Sequence, residues 1–151
     1  MTASSRPARR QREAAEPIVL DTHILLWLSL SPEKITGEAT DALKKASARG
    51  GMLVSPISLW EIAMLARKRR LVLGQPTLEW INDALHHPGL ALAPITQQIA
   101  VDSNELPDRF AGDPADCILI ATARSESASL ATRDAAILDY AARGHVKVLA
   151  V

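Results

Sequence analysis

The sequence predicts an α/β domain built on a five-stranded, mostly parallel sheet with helices on both faces. Short apolar runs rich in Val, Ile and Leu alternate with stretches of helical spacing, a pattern typical of parallel strands buried on both faces. The chain has 151 residues, of which 48% are hydrophobic, enough for one domain with a core and too few for two. We therefore expect a single domain over residues 17–151.

Five apolar runs are the predicted strands. Each is short, and turn-forming or polar residues border it, as expected for strands joined by helical crossovers. They comprise residues 18–20, 52–54, 90–93, 129–131 and 146–151.

Seven stretches between and around these runs have the apolar spacing of helices. Ser55 predicts an N-cap and Pro56 a first helical position for the third, which we expect to run to about Arg69. The others are the helix marked by Ile24, Leu25 and Leu28, the helix marked by Ala39, Leu43 and Ala46, residues 78–85, a helix capped by Thr96 that continues towards Leu106, a helix opened by Asp113 and Pro114, and residues 135–142.

Basic residues are unevenly distributed, although the 17 Lys and Arg balance the 17 Asp and Glu. Residues 1–16 contain four arginines and no large apolar side chain after Met1, which predicts a disordered basic tail. Two interpretations of this segment are open. It is a solvated tail or an over-long start of the reading frame, or else it is an arm that contacts nucleic acid. Residues 67–70 form a second basic cluster, which suits either a helix C-terminus or phosphate contacts.

Several classes of protein are excluded by composition. No apolar run approaches the ~18 residues of a membrane span, and the N-terminus lacks the hydrophobic centre of a signal peptide. Cys117 is the one cysteine, so an intramolecular disulfide or a Cys-rich zinc site cannot form. These features predict a cytosolic protein.

Two acidic residues follow predicted strands. Asp21 ends the first strand, and Asp134 comes shortly after the fourth. In open parallel sheets, ligands bind beyond the carboxyl ends of the strands. Both residues are therefore candidates for a functional site.

Two further acidic residues lie near the starts of helices. Glu61 has Ile57 four residues before it and Leu65 four residues after it, which places its carboxylate on an apolar stripe. Asp116 lies in the first turn of its helix, three residues after Asp113. Each Asp also has a structural interpretation, since Asp113 and Asp116 resemble a capping pair and Asp134 can cap the helix that follows it. Glu61 has no such interpretation.

The topology of a parallel sheet brings these acids to one edge. Two negative charges about 4 Å apart repel by roughly 4 kcal/mol at an effective dielectric constant of 20, so such a cluster must take up protons or bind cations. Oxygen ligands suit Mg²⁺ or Mn²⁺. Ions held in this way can activate water and stabilise a leaving oxygen, which predicts phosphodiester hydrolysis.

Other candidate residues have structural interpretations. His23 lies beside Asp21, and we interpret it as a structural residue or substrate contact before a catalytic one. The three tryptophans fall on apolar helix faces and are interpreted as core or interface residues; they are Trp27, Trp60 and Trp80.

Taken in order, the segments LDTHILLW, SPISLWEIAML, DPADCILIATA and TRDAAIL resemble the PIN-domain ribonucleases, in particular VapC-type toxins of toxin–antitoxin pairs. The resemblance covers residues 17–151. It implies an α/β/α sandwich, an Mg²⁺- or Mn²⁺-dependent endoribonuclease that cuts RNA, inhibition by a cognate antitoxin protein, and a homodimer. One difference is Cys117, which stands where many members of the family have arginine.

The resemblance also implies roles for individual residues. Those that match the acidic motifs, and are expected to bind metal and carry catalysis, are Asp21, Glu61, Asp116 and Asp134. Thr132 and Asp113 match positions of supporting hydrogen-bonding groups.

Two alternative functions remain at this point. A signalling receiver domain shares the alternating strands and helices, but it needs paired acids after its first strand, and Asp21 is unpaired. A catalytically inactive PIN-like module that only binds RNA or protein is the second alternative, and the presence of all four acids argues against it.

Overall fold

A computed structural model describes residues 16–151 of the chain. The predicted basic tail, residues 1–16, lies outside the described residues except for Glu16. In the described part, five strands form one sheet. They are β1 (Ile18–Leu20), β2 (Met52–Val54), β3 (Leu90–Leu92), β4 (Ser129–Thr132) and β5 (Lys147–Ala150).

Helices connect the strands. Residues 16–151 contain seven α-helices, as predicted. They also contain a short 3₁₀ turn at Pro32–Lys34, which the sequence analysis did not predict. The helices are α1 (Thr22–Leu30), α2 (Glu38–Ala48), α3 (Pro56–Arg67), α4 (Thr77–Leu85), α5 (Gln97–Asp102), α6 (Pro114–Ser125) and α7 (Ala135–Ala142).

The sheet has the strand order β3-β2-β1-β4-β5, and all four neighbouring pairs are parallel. The predicted α/β fold with a parallel sheet is therefore confirmed. The chain moves outward from β1 to β3 on one side and then returns to place β4 on the other side. A crevice for ligands forms where the strand order reverses in this way, here between the carboxyl ends of β1 and β4.

Alternate residues of the central strand face opposite sides of the sheet. Ile18 and Leu20 belong to one apolar cluster, with side chains of α1, α2 and α4, while Val19 belongs to a second cluster with side chains of α6 and α7. Both clusters consist largely of buried Leu, Ile and Val side chains. Helices therefore cover both faces of the sheet, which makes the three layers of a sandwich.

Two helices end earlier than their sequence predicts. Arg69 has a left-handed backbone with φ of 57°, and Arg70 N–H donates to Leu65 O at 3.0 Å, so α3 closes at Arg67. Helix α5 stops at Asp102 because the side chains of Ser103 and Asn104 donate to Ala100 O, at 2.8 and 3.0 Å. In both cases local hydrogen bonds, rather than apolar spacing, determine the end.

The three tryptophans differ in exposure. Trp80 is buried in the core at 6% exposure, Trp27 is half-buried, and Trp60 is 61% exposed. Trp60 is therefore not a core residue, and the alternative interpretation of it as an interface residue stays a prediction. The buried side of α3 instead carries Ser58 and Ile62, four residues apart.

No helix among residues 16–151 is long and apolar enough to span a membrane.

Replacing Leu130 by Ala tests the core. This side chain is fully buried in β4, so Leu130→Ala is expected to lower the free energy of unfolding by ~2–5 kcal/mol, through lost apolar burial and the cavity left behind. Urea unfolding measures the change. Leu78→Ala is the matched control: Leu78 is 69% exposed, and its replacement should change stability by less than about 0.5 kcal/mol. Equal effects of the two substitutions would contradict the assignment of the core.

Candidate active site

The predicted acidic residues line one cavity of about 310 Å³ at the carboxyl edge of the sheet. Asp21 follows β1, Glu61 lies in α3, Asp116 lies in the first turn of α6, and Asp134 precedes α7. Asp113, predicted as a supporting residue, lines the same cavity. Segments far apart in the chain meet there because the strands are parallel and their carboxyl ends share one edge.

Two hydrogen bonds fix the carboxylate of Asp21. Its Oδ1 accepts from Thr22 N–H at 2.6 Å, and its Oδ2 accepts from Thr132 Oγ1 at 2.7 Å. The Thr132 hydroxyl oxygen in turn accepts from Asp134 N–H at 3.0 Å. Thr132 thus connects the end of β1 with the loop that carries Asp134.

A second hydroxyl orients Glu61. Thr22 Oγ1 donates to Glu61 Oε1 at 2.7 Å, and it lies 2.9 Å from Ser58 Oγ, so that the Ser58 hydroxyl can donate to it. Both hydroxyl residues are fully or almost fully buried. The apolar stripe of α3 therefore accommodates a carboxylate because buried hydroxyl groups hydrogen-bond to it.

Three of the aspartates are N-caps: Asp21 of α1, Asp113 of α6 and Asp134 of α7. Asp113 Oδ1 accepts from Asp116 N–H at 2.8 Å, and Asp134 Oδ1 accepts from Ile137 N–H at 3.0 Å. The capping interpretation is thus confirmed for Asp113 and Asp134. Asp116 lies in the first turn of α6, where the helix dipole favours a carboxylate, but its carboxylate accepts no hydrogen bond from any residue between 16 and 151.

Burial and like charges raise the pKa values of the central acids. The pKa of Asp116 is raised to about 7, mainly by burial and further by the negative charges of Asp113, Asp21, Asp134 and Glu61, in that order. Burial also raises the pKa values of Asp21 and Glu61, although hydrogen bonds from neighbouring hydroxyl or amide groups oppose it. The site therefore resists carrying its full negative charge at neutral pH.

No lysine or arginine of the described chain neutralises these acids. The ion pairs within residues 16–151 join His145 to Asp108 at 2.5 Å and Lys147 to Glu16 at 2.9 Å, both outside the cavity. In their present conformations, no three acidic, His or Cys side chains of this part come together as a ready-made metal site. The five carboxylates around the cavity nevertheless supply oxygen donors, which fit Mg²⁺ or Mn²⁺.

Several residues of the site were not predicted from sequence. Thr22 and Ser58 form the buried hydroxyl network described above. Trp27 and Arg133 line the cavity beside the acids, together with His23, which the sequence analysis had interpreted as a structural residue or substrate contact. Two signals could have identified Trp27 and Arg133: Trp27 lies four residues after His23 on α1, and Arg133 directly precedes Asp134.

The acidic cavity lies at the carboxyl edge of the parallel sheet, where the strand order reverses. These two features define a class of α/β domain with a candidate cation site. Comparison with protein-family models gives a match to the PIN domain over residues 18–143. The chain therefore belongs to the PIN domain family. A receiver domain is excluded, because its strand order of 2-1-3-4-5 differs from the order 3-2-1-4-5 found here.

Known proteins similar to this chain include a curated relative and two solved structures. The chain is 33% identical over 117 residues to ribonuclease VapC22 of Mycobacterium tuberculosis, which covers 78% of this chain and 86% of that protein. VapBC2 from Rickettsia felis, bound to a promoter DNA fragment, has a TM-score of 0.64 at 14% identity, over 88% of this chain and 97% of that one. DNA-bound VapBC from Salmonella typhimurium also has a TM-score of 0.64 at 14% identity, over 89% and 98%. Both structures support the fold.

The raised pKa of Asp116 predicts how stability depends on pH. The unfolded chain releases this proton near pH 4, whereas the folded chain keeps it up to about pH 7. The stabilisation linked to the proton is therefore fully present below about pH 4 and lost as pH rises through about 7. In EDTA at about pH 8, the thermal midpoint of Asp116→Asn is expected to lie a few degrees above that of the parent. The midpoint of the variant should also fall less than that of the parent between about pH 5 and pH 8.

Differential scanning calorimetry with EDTA at both pH values measures this effect. Asp139→Asn, a substitution of an exposed acid on α7, is the control and should leave the decline unchanged. The pKa assignment fails if the midpoint of Asp116→Asn declines with pH as steeply as that of the parent.

Thr132→Val tests the hydroxyl that bridges Asp21 and Asp134. The substitution keeps the side-chain shape and removes both hydrogen bonds, so the affinity for Mn²⁺ is expected to fall roughly 10- to 100-fold. Isothermal titration with Mn²⁺ measures it. Thr40→Val is the matched control, because Thr40 lies on α2, away from the cavity, and donates to Ile35 O. Unchanged affinity in Thr132→Val would show that the bridge does not position the acids.

Proposed function

We propose that this chain is the toxin of a type II toxin–antitoxin pair and acts as a divalent-metal-dependent endoribonuclease. Its catalytic and metal-binding residues are the four acids of the cavity, Asp21, Glu61, Asp116 and Asp134. One observation carries the proposal: these four acids line one cavity, and no lysine or arginine within residues 16–151 forms an ion pair with them. The pKa of Asp116, raised to about 7 by burial and like charges, agrees with it. Such a cluster is costly to fold unless it binds cations.

The similarity to a named ribonuclease supports RNA as the substrate. Ribonuclease VapC22 is 33% identical to this chain over 117 residues, which cover 78% of this chain. We infer that the PIN domain extends over residues 17–151, beyond the 18–143 matched by the family model, because β5 pairs with β4 and completes the sheet.

The residues of the cavity have different roles in the proposed reaction. Mg²⁺ or Mn²⁺ bound there would supply an activated water nucleophile and stabilise charge on the leaving oxygen. Thr132 and Thr22 hold the carboxylates of Asp21 and Glu61 in fixed orientations. Asp116 accepts no such hydrogen bond in the described chain, and it must lose a proton with a pKa of about 7 before it can act as an anionic ligand. Binding of a cation and binding of a proton therefore compete at Asp116.

An antitoxin protein is the proposed inhibitor. The solved structures similar to this chain include VapBC complexes and a toxin–antitoxin complex from Klebsiella pneumoniae. A basic side chain of such a partner, placed among the acids, would neutralise the cavity as a metal ion does. We also propose a homodimer, as the family resemblance implies.

Asp116→Asn tests the proposed activity. The substitution removes a ligand charge while keeping the side-chain shape, so cleavage of an RNA oligonucleotide with Mn²⁺ is expected to fall below detection. The increase of the thermal midpoint caused by millimolar Mn²⁺ should shrink as well. The control Asp139→Asn should cleave like the parent. Cleavage by Asp116→Asn at the rate of the parent would overturn the assignment of the site.

A further inference from the structure

We propose that Arg133, held against the indole ring of Trp27, binds a phosphate of the RNA substrate beside the bond that is cleaved. The inference rests on the proposed ribonuclease function and adds a positioning residue to it. Arg133 follows β4 and lines the acidic cavity together with Trp27, which lies on α1. The site would thus contain a phosphate-binding element next to the acids.

The first argument is the contact between the two side chains. The guanidinium carbon of Arg133 lies 5.4 Å from the centroid of the Trp27 ring, within the range of a cation–π interaction. Trp27 is half-buried against the apolar core, so its ring is a fixed platform for an exposed side chain. The interaction limits the conformations of Arg133 and keeps it at the rim of the cavity.

The second argument is that the hydrogen-bond donors of Arg133 are not used. Five carboxylates line the same cavity, yet Arg133 forms no ion pair and no side-chain hydrogen bond with any residue from 16 to 151. A cation–π contact does not occupy N–H donors. The planar donor set of a guanidinium fits two oxygens of one phosphate. An arginine held in place with its donors free is suited to an anion that comes from outside the chain.

The third argument is electrostatic. A cavity lined by five carboxylates repels a polyanion such as RNA. Among its described lining residues, Arg133 is the sole arginine or lysine, so it can offset this repulsion where the strand enters. A phosphate bound there would fix the position of the neighbouring phosphodiester relative to the acids. The expected effect of Arg133 is therefore on binding and positioning of RNA.

Steady-state cleavage of a single-stranded RNA oligonucleotide tests the proposal, using the full chain with Mn²⁺ at several salt concentrations. Arg133→Gln is expected to raise KM roughly 10- to 100-fold, as for loss of a hydrogen-bonded charged contact. The slope of log KM against log salt should decrease by about 0.7, the value for one lost contact to single-stranded nucleic acid. The Mn²⁺-dependent rise of the thermal midpoint should stay unchanged, and Arg133→Lys should recover part of the affinity.

Two further variants sharpen the test. Arg143 makes the same kind of contact, 5.2 Å from the Tyr140 ring and away from the cavity, so Arg143→Gln should leave KM and the salt slope unchanged. Trp27→Leu keeps the charge of Arg133 but removes its platform, so KM should rise while the salt slope stays that of the parent.

Different results would separate the two proposals. An unchanged KM and salt slope in Arg133→Gln, with a parent that cleaves RNA, would overturn this inference alone. Loss of the Mn²⁺ response in Arg133→Gln would also overturn it, because Arg133 would then support the acids and not the RNA. A parent chain that cleaves no RNA would overturn the ribonuclease proposal and this inference with it.

Discussion

Repulsion among carboxylates at the switch point of the sheet is the constraint on which the arrangement of this domain depends. Five acidic side chains share one cavity, and together with burial they raise the pKa of Asp116 to about 7. Folding must place these groups together against their electrostatic preference. The apolar clusters on the two faces of the sheet supply the stability that offsets this repulsion, since most of their side chains are buried.

Buried hydroxyl groups stabilise the acidic side chains where the cavity borders this core. Thr132 and Thr22 donate to carboxylates at the ends of neighbouring segments, and each also contacts a second polar group. No buried side-chain nitrogen or oxygen of the described part lacks a hydrogen-bond partner. Hydroxyl groups therefore orient the carboxylates of Asp21 and Glu61, whereas the carboxylate of Asp116 accepts no hydrogen bond from the described chain.

The sequence predicted the order of strands and helices because apolar periodicity reflects burial on the faces of a sheet. It also predicted that Asp21, Glu61, Asp116 and Asp134 approach one another, since parallel strands share a carboxyl edge. Contacts between side chains of different segments carry no local pattern, so the hydroxyl network and the stacking of Arg133 required the structure. The catalytic roles of the acids remain a prediction.

The two outer strands, β3 and β5, affect how readily folded chains pair with one another at the edges of the sheet. Strand β3 is three residues long and lies between Pro88 and Pro94, while β5 begins with the exposed, charged Lys147. Short length, flanking prolines and a charged side chain all hinder a foreign strand from adding to a sheet edge. The backbone groups left open at both edges are thereby protected from the intermolecular pairing that leads to amyloid-like aggregation.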